Sequence, residues 1–174
     1  MPSHNDHDSH PPPMILTCGN SSAEARSRGC VFDLLTNSWM PAYCADPTTD
    51  EEYRAWVLEP TRDLGSFAFS HDEEAQVHIS TEEYLSDLVG QHVYTTTENH
   101  LAYCIFPARR MHRIVMGEIK AMAHNTFAHT VHCTKALLKG VEDGGIEKGK
   151  GGIGSTFDVG IVDCVVDGMQ QHRG

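Results

Sequence analysis

Two short segments carry the side chains best suited to chemistry: His100-Leu101-Ala102-Tyr103-Cys104 and, 29 residues on, His129-Thr130-Val131-His132-Cys133. They are two copies of one pattern, with the second imidazole of the first copy replaced by a phenol. On a helix, residues at i and i+3 are neighbours on one face, about 5–6 Å apart. That spacing lets two imidazoles grip one ion from adjacent turns, and imidazole nitrogen suits copper, zinc, iron or nickel. Two such helices packed antiparallel bring His100 and Tyr103 against His129 and His132. The expected result is a three-imidazole metal site of His100, His129 and His132 with the Tyr103 phenol beside it. Tyr103 has three readings. It is a phenolate ligand, which needs the metal to ionise it from its ordinary pKa of about 10. It is a neutral phenol that donates a proton or orients substrate. Or it is a helix-face aromatic with no chemistry. Cys104 and Cys133 read as disulfide members or buried apolar thiols rather than ligands.

The remaining histidines are weaker candidates. His112 follows His100 by twelve residues, a little over three helical turns, and shares its face unless Pro107 rotates it away. His124 reads as an outer ligand or a loop residue. His71, His78 and His92 fall in turn or strand contexts and read as solvated, although His71 beside Asp72-Glu73-Glu74 is also placed to be a carboxylate-held base. Arg109, Arg110 and Arg113 make a small basic face, suited to a carboxylate substrate or to surface ion pairs. Gly144 to Lys150 matches the start of a phosphate-binding loop. Gly151 stands where Ser or Thr is required, however, and no strand precedes it, which excludes nucleotide binding. Gly144 to Gly154 reads instead as a flexible loop over the site.

Positioning these groups falls to two helical patterns, one from Glu98 to about Lys120 bent by Pro107 and one from about Thr126 to Lys139. The β-rich run His92 to Thr97 feeds the first of them. Earlier, Ser21-Ser22-Ala23-Glu24 is a capping box for a helix ending by Gly29, and Thr49 with Glu52 opens a second helix to Leu58. Phe67 to Phe69 and Gln76 to Ile79 suggest a small hairpin. Ser80 to Glu83 caps a short helix to about Val89, and Phe157 to Val166 is strand-like around Cys164. The expected fold is mainly α with minor β pieces, a small single domain built around two packed helices that carry the paired motifs. Residues 1–13 are His- and Pro-rich and read as a disordered tail ahead of a domain over 14–174. Removal of Met1 would place His4 third in that tail, where it can chelate copper and inflate metal counts.

The whole chain has 174 residues, 40% of them hydrophobic, and a formal net charge of −11. Such an acidic surface repels phosphate backbones, which argues against nucleic-acid partners. No apolar run approaches the ~18 residues of a membrane span and no signal peptide heads the sequence, so as written it reads as soluble. Twelve His and six Cys stand out. The six Cys are read as oxidised in preference to reduced, with their pairing open. Asn20-Ser21-Ser22 is a glycosylation sequon that matters only in the secretory path.

The doubled motif, together with Cys18 to Arg26, Gly29 to Asp33 and Trp39-Met40-Pro41 to Cys44, resembles the UstYa family of fungal secondary-metabolite biosynthetic proteins over about Cys18 to Leu138. The resemblance implies a copper-dependent oxidative tailoring or cyclisation of a small-molecule or peptide intermediate. It makes His100, His129 and His132 metal-binding or catalytic and Cys104 and Cys133 motif cysteines. It also implies a secretory-pathway lumen with a membrane anchor, which this sequence does not display. Tyr103 stands where the family pattern has His. The alternatives are a metal-independent cyclase or pericyclase, with Tyr103 and the His residues as acids, bases and hydrogen-bond donors, or a non-catalytic homo- or heterodimer partner of a related protein.

Overall fold

The computed structural model describes residues 13–62, 64–120, 122, 126–142 and 152–166. Residues 1–12, His124 and residues 143–151, where the tail and most of the Gly-rich loop are expected, lie outside the described part. Five α-helices and eight strands alternate along the described chain. They are β1 (Met14–Leu16), α1 (Ser22–Ser27), β2 (Cys30–Asp33), β3 (Ser38–Pro41), α2 (Pro47–Val57), β4 (Phe69–Ser70), α3 (Glu82–Asp87), β5 (His92–Thr96), α4 (Thr97–Val115), α5 (Phe127–Glu142), β6 (Ile153–Asp158), β7 (Gly160–Ile161) and β8 (Cys164–Val166).

This is a mixed α/β domain, which corrects the mainly α expectation. β5 lies in the expected β-rich run from His92, but several strands are very short and pair across long sequence gaps, so the sheets as a whole are not announced by local pattern. β1 pairs antiparallel with β8 from the other end of the chain. The β2–β3 hairpin takes β7 as a parallel third strand. β5 lies between β4 and β6, antiparallel to both. In β6 inward and outward residues alternate, the period-2 signature of a half-buried strand. Gly154, expected in a flexible loop, therefore sits within a strand.

Local capping chemistry sets most helix starts. Ser21 accepts from Glu24 N and opens α1, and Thr81 accepts from Tyr84 N and opens α3. α2 begins two residues earlier than Thr49, because Asp46 is its N-cap and Pro47 fills a first-turn position that needs no N–H. α4 continues past Pro107 and stops at Val115 rather than Lys120, two residues before Gly117 takes a left-handed φ of 73°. The main core gathers Leu34, Leu35, Val57, Phe69, Ile79, Leu85 and Val93 with Tyr53 and Phe106, whose rings meet edge to face at 5.4 Å and seat α4 on α2. No described helix is long and apolar enough to cross a membrane.

All six cysteines pair: Cys18 with Cys30, Cys44 with Cys164 and Cys104 with Cys133. The second ties the end of the β2–β3 unit to β8, 120 residues away in sequence. The basic face of α4 resolves into ion pairs. Arg109 meets Glu52, and Arg113 reaches Asp46 at 3.4 Å and Glu118 at 3.3 Å. Arg110 is not on a surface at all. It is 2% exposed, bound to Asp33 and beside Asp46, both equally buried.

Candidate active site

The first turns of α4 and α5 carry the paired motifs because a threonine caps each helix just ahead of its histidine. Thr96 Oγ1 accepts from Asn99 N at 3.0 Å, and Thr126 Oγ1 accepts from His129 N at 3.2 Å. The Cys104–Cys133 disulfide then fastens the helices with their Cα atoms 5.0 Å apart. Across this junction the four sequence-selected side chains meet as two pairs. His100 Nε2 lies 3.0 Å from His132 Nε2, with the rings stacked at 5.2 Å. Tyr103 OH lies 2.8 Å from His129 Nε2, with the rings edge to face at 5.5 Å. Cys133 Sγ closes the group at 3.7 Å from His129 Nε2.

These four residues line a cleft of about 560 Å³. Its other walls are β6 from Gly154 to Asp158, the β2–β3 turn at Thr36 and Asn37, and a buried polar relay. In the relay Tyr53 OH donates to Asn99 Oδ1, and Asn99 Nδ2 donates to Thr95 Oγ1 at 2.7 Å. Thr95 Oγ1 in turn donates to Ala68 O at 2.9 Å. Sequence reading missed these walls. The one local signal was the placement of Thr95 and Asn99 at i, i+4 directly before His100; β6 and the turn arrive from distant sequence.

Burial drives the electrostatics. Desolvation, then the neighbouring His132 and His129, hold the His100 imidazole below its usual pKa. Desolvation first, with Asp33 adding to it and Arg110 opposing, pushes the Tyr103 phenol up to about 12. Tyr103 is thus protonated at neutral pH, and its hydroxyl shares a hydrogen bond with His129 Nε2. Because the folded His100 takes up a proton less readily than the unfolded one, its contribution to stability is complete above about pH 6.5. It is lost as pH falls from there through the lowered folded value. Thermal unfolding between pH 7.5 and pH 5 should therefore show a drop in melting temperature that is smaller in His100→Asn; equal drops would assign the acid sensitivity elsewhere.

All three imidazoles adjoin: the His132 ring lies 5.2 Å from that of His100 and 6.2 Å from that of His129. His129 is engaged with Tyr103, and no group of three or more His, Cys, Asp or Glu side chains converges at metal-holding distances among the described residues. The His100–His132 pair by itself has the right spacing for two ligands. Nitrogens bonded at about 2.0–2.1 Å to one ion lie roughly 3 Å apart.

The other candidates sit elsewhere. His112 and His78 are exposed, and His71 meets Tyr84 OH at 3.2 Å rather than a carboxylate. His92 pairs with Asp158 at 2.9 Å on the cleft's border.

The disulfide holds this geometry, and it closes a 29-residue separation. Cys104→Ser with Cys133→Ser should cost about 3–4 kcal/mol by loop-closure entropy. Denaturant unfolding of the oxidised protein checks this, and an unchanged midpoint would mean that packing alone aligns α4 and α5.

No family model and no solved structure matches this chain. Similarity is found to Phomopsin biosynthesis cluster protein B and Phomopsin biosynthesis cluster protein B' of Diaporthe leptostromiformis, each 30% identical over 122 residues. The matched stretch is 67% of this chain and 34% of each relative, so the chain spans about a third of the length of the curated relatives it matches.

Proposed function

We propose that this protein is a biosynthetic enzyme of the UstYa type that remodels a small-molecule or peptide intermediate in the cleft of His100, Tyr103, His129 and His132. Similarity to two proteins of a fungal biosynthesis cluster supports the biosynthetic role. The observation that carries the chemistry is the arrangement as two hydrogen-bonded pairs, His100–His132 at 3.0 Å and Tyr103–His129 at 2.8 Å.

Such pairs suit proton transfer. The depressed pKa of His100 keeps the first pair able to accept a proton from an acidic N–H, O–H or activated C–H of the intermediate. The Tyr103 O–H donates to the atom where negative charge develops, and His129 orients that phenol. One proton leaves the intermediate and one returns at another atom, so the product is an isomer, as in a ring closure. The cleft walls hold the chain in the folded conformation that closure requires, the positional contribution expected of a cyclase.

Copper-dependent oxidation is the second reading, favoured by the ligand-like separation of His100 and His132 Nε2. The two readings part on product mass. The intermediate that accumulates when the gene is disrupted should be converted by the purified protein to a product of equal mass. A product that has lost hydrogen or gained oxygen, formed only with copper and oxygen, would select the oxidative reading.

A further inference from the structure

One motif of the sequence takes no part in the cleft. The sequon Asn20-Ser21-Ser22 lies where the chain leaves the Cys18–Cys30 bridge and enters α1. The cleft is lined only from Thr36 onward in the chain, so nothing attached at Asn20 stands on its walls.

Asn20 is solvent-exposed. Its backbone N–H donates to Glu24 Oε2 at 3.0 Å, while its carboxamide has no hydrogen-bond partner among the described residues. An Asn beside a helix start ordinarily serves as the cap. Here Ser21 does so, its Oγ accepting from Glu24 N at 3.1 Å. The Asn20 side chain is therefore left with no task in the fold. Ser21, the middle residue of the sequon, is extended at φ −149° and ψ 160°, and Ser22 follows as the first residue of α1. That helix docks through Arg26, which reaches Asp87 at 2.6 Å and Ser86 Oγ at 3.0 Å. Its partners lie some sixty residues downstream, so the sequon emerges during synthesis well before α1 can be held in place.

The three disulfides supply the second observation. They join all six cysteines, and bridges of this kind form and persist in oxidising compartments, where sequons are also modified.

We propose that Asn20 carries an N-linked glycan, added in the compartment where the disulfides form. Asn20 Nδ2 bonds to the anomeric carbon of an oligosaccharide supplied as its lipid pyrophosphate. The anomeric C–O bond breaks, the lipid pyrophosphate leaves with the bonding electron pair, and the displaced Nδ2 proton passes to a base of the transferase. The Ser22 hydroxyl completes the signal that the transferase reads.

The test uses the full chain with a chromosomal affinity tag, isolated from the organism's own cells with free thiols trapped. Peptide N-glycosidase in heavy-oxygen water should increase its gel mobility and leave Asn20 as isotopically labelled Asp in the peptide mass spectrum. Asn20→Gln and Ser22→Ala should migrate like the enzyme-treated protein, whereas Ser22→Thr, which keeps the hydroxyl, should retain the slower band. Asn20→Gln should melt with the enzyme-treated wild type, because the carboxamide bonds to nothing in the fold; a lower melting temperature would assign Asn20 a structural role and count against the proposal. Unlabelled Asn20 overturns it. Trapped thiols on the cysteines would then put the fault in the compartment, and intact disulfides would put it in the sequon.

Discussion

Tyr103→Phe is expected to lower turnover by about 10²–10⁴-fold, the usual contribution of a positioned general acid, while leaving the fold in place. The substitution removes one oxygen. The ring keeps its edge-to-face contact with His129 at 5.5 Å, and the lost hydrogen bond at 2.8 Å is worth about 1 kcal/mol of stability. A phenol held near pKa 12 by burial stays protonated, and its preorganised O–H is available to developing charge. The predicted signature is a fall in kcat with little change in KM, because the donor matters most where charge appears. Circular dichroism and a melting curve accompany the kinetics. Full activity in Tyr103→Phe would reduce Tyr103 to a helix-face aromatic. His129→Ala together with His132→Ala should likewise remove activity while the fold persists.

Arg110→Leu should be the most destabilising surface-remote change in the molecule, at about 3–5 kcal/mol. Removing the guanidinium leaves the Asp33 carboxylate unpaired at 2% exposure, where ionisation is costly, and leaves Asp46, at 1% exposure, only Arg113 at 3.4 Å. Both carboxylates also cap backbone: Asp33 Oδ1 accepts from Thr36 N and Asp46 Oδ1 from Thr49 N. Losing the cation therefore loosens the β2–β3 turn that walls the cleft and the start of α2 that seats α4. Urea denaturation measures the loss. A triple change that also replaces Asp33 and Asp46 with Asn should recover part of it, since unpaired charge is the main penalty. A loss under about 1 kcal/mol would show that Arg113, 3.4 Å from Asp46, compensates.

The candidate site was legible in the sequence where its geometry is local. The i, i+3 spacing within each motif and the polar caps ahead of the helices are short-range features, and they led to His100, Tyr103, His129 and His132 on two adjoining helices. Their partition was not legible. Which imidazole faces which depends on the axial offset of α4 against α5, and that offset is fixed by Cys104 and Cys133, whose pairing spacing alone left open. The four side chains meet as two hydrogen-bonded pairs for this reason, with the His129 and His132 rings 6.2 Å apart.

The fold was harder to read. β1, β8 and β7 are two or three residues long and pair with partners more than a hundred residues away. β1 and β8 gather around the Cys44–Cys164 bridge through Leu16 and Val166, whereas Trp39 of β3 and Ile161 of β7 pack in the cluster around Cys18. Arg110 misled for a related reason: its charge suggests solvent, while its two carboxylate partners lie in segments far upstream.

The most direct test of the account is the product formed by the wild-type protein, without oxygen and after exhaustive chelation, from the intermediate that accumulates on gene disruption. Residues 1–13 should be deleted so that tail-bound metal does not confuse the result. Proton transfer among His100, His132, Tyr103 and His129 predicts conversion at an undiminished rate to an isomer of equal mass, slowed about 10²–10⁴-fold in Tyr103→Phe. Loss of conversion that is restored only by adding copper and oxygen, with a product of altered mass, would contradict it.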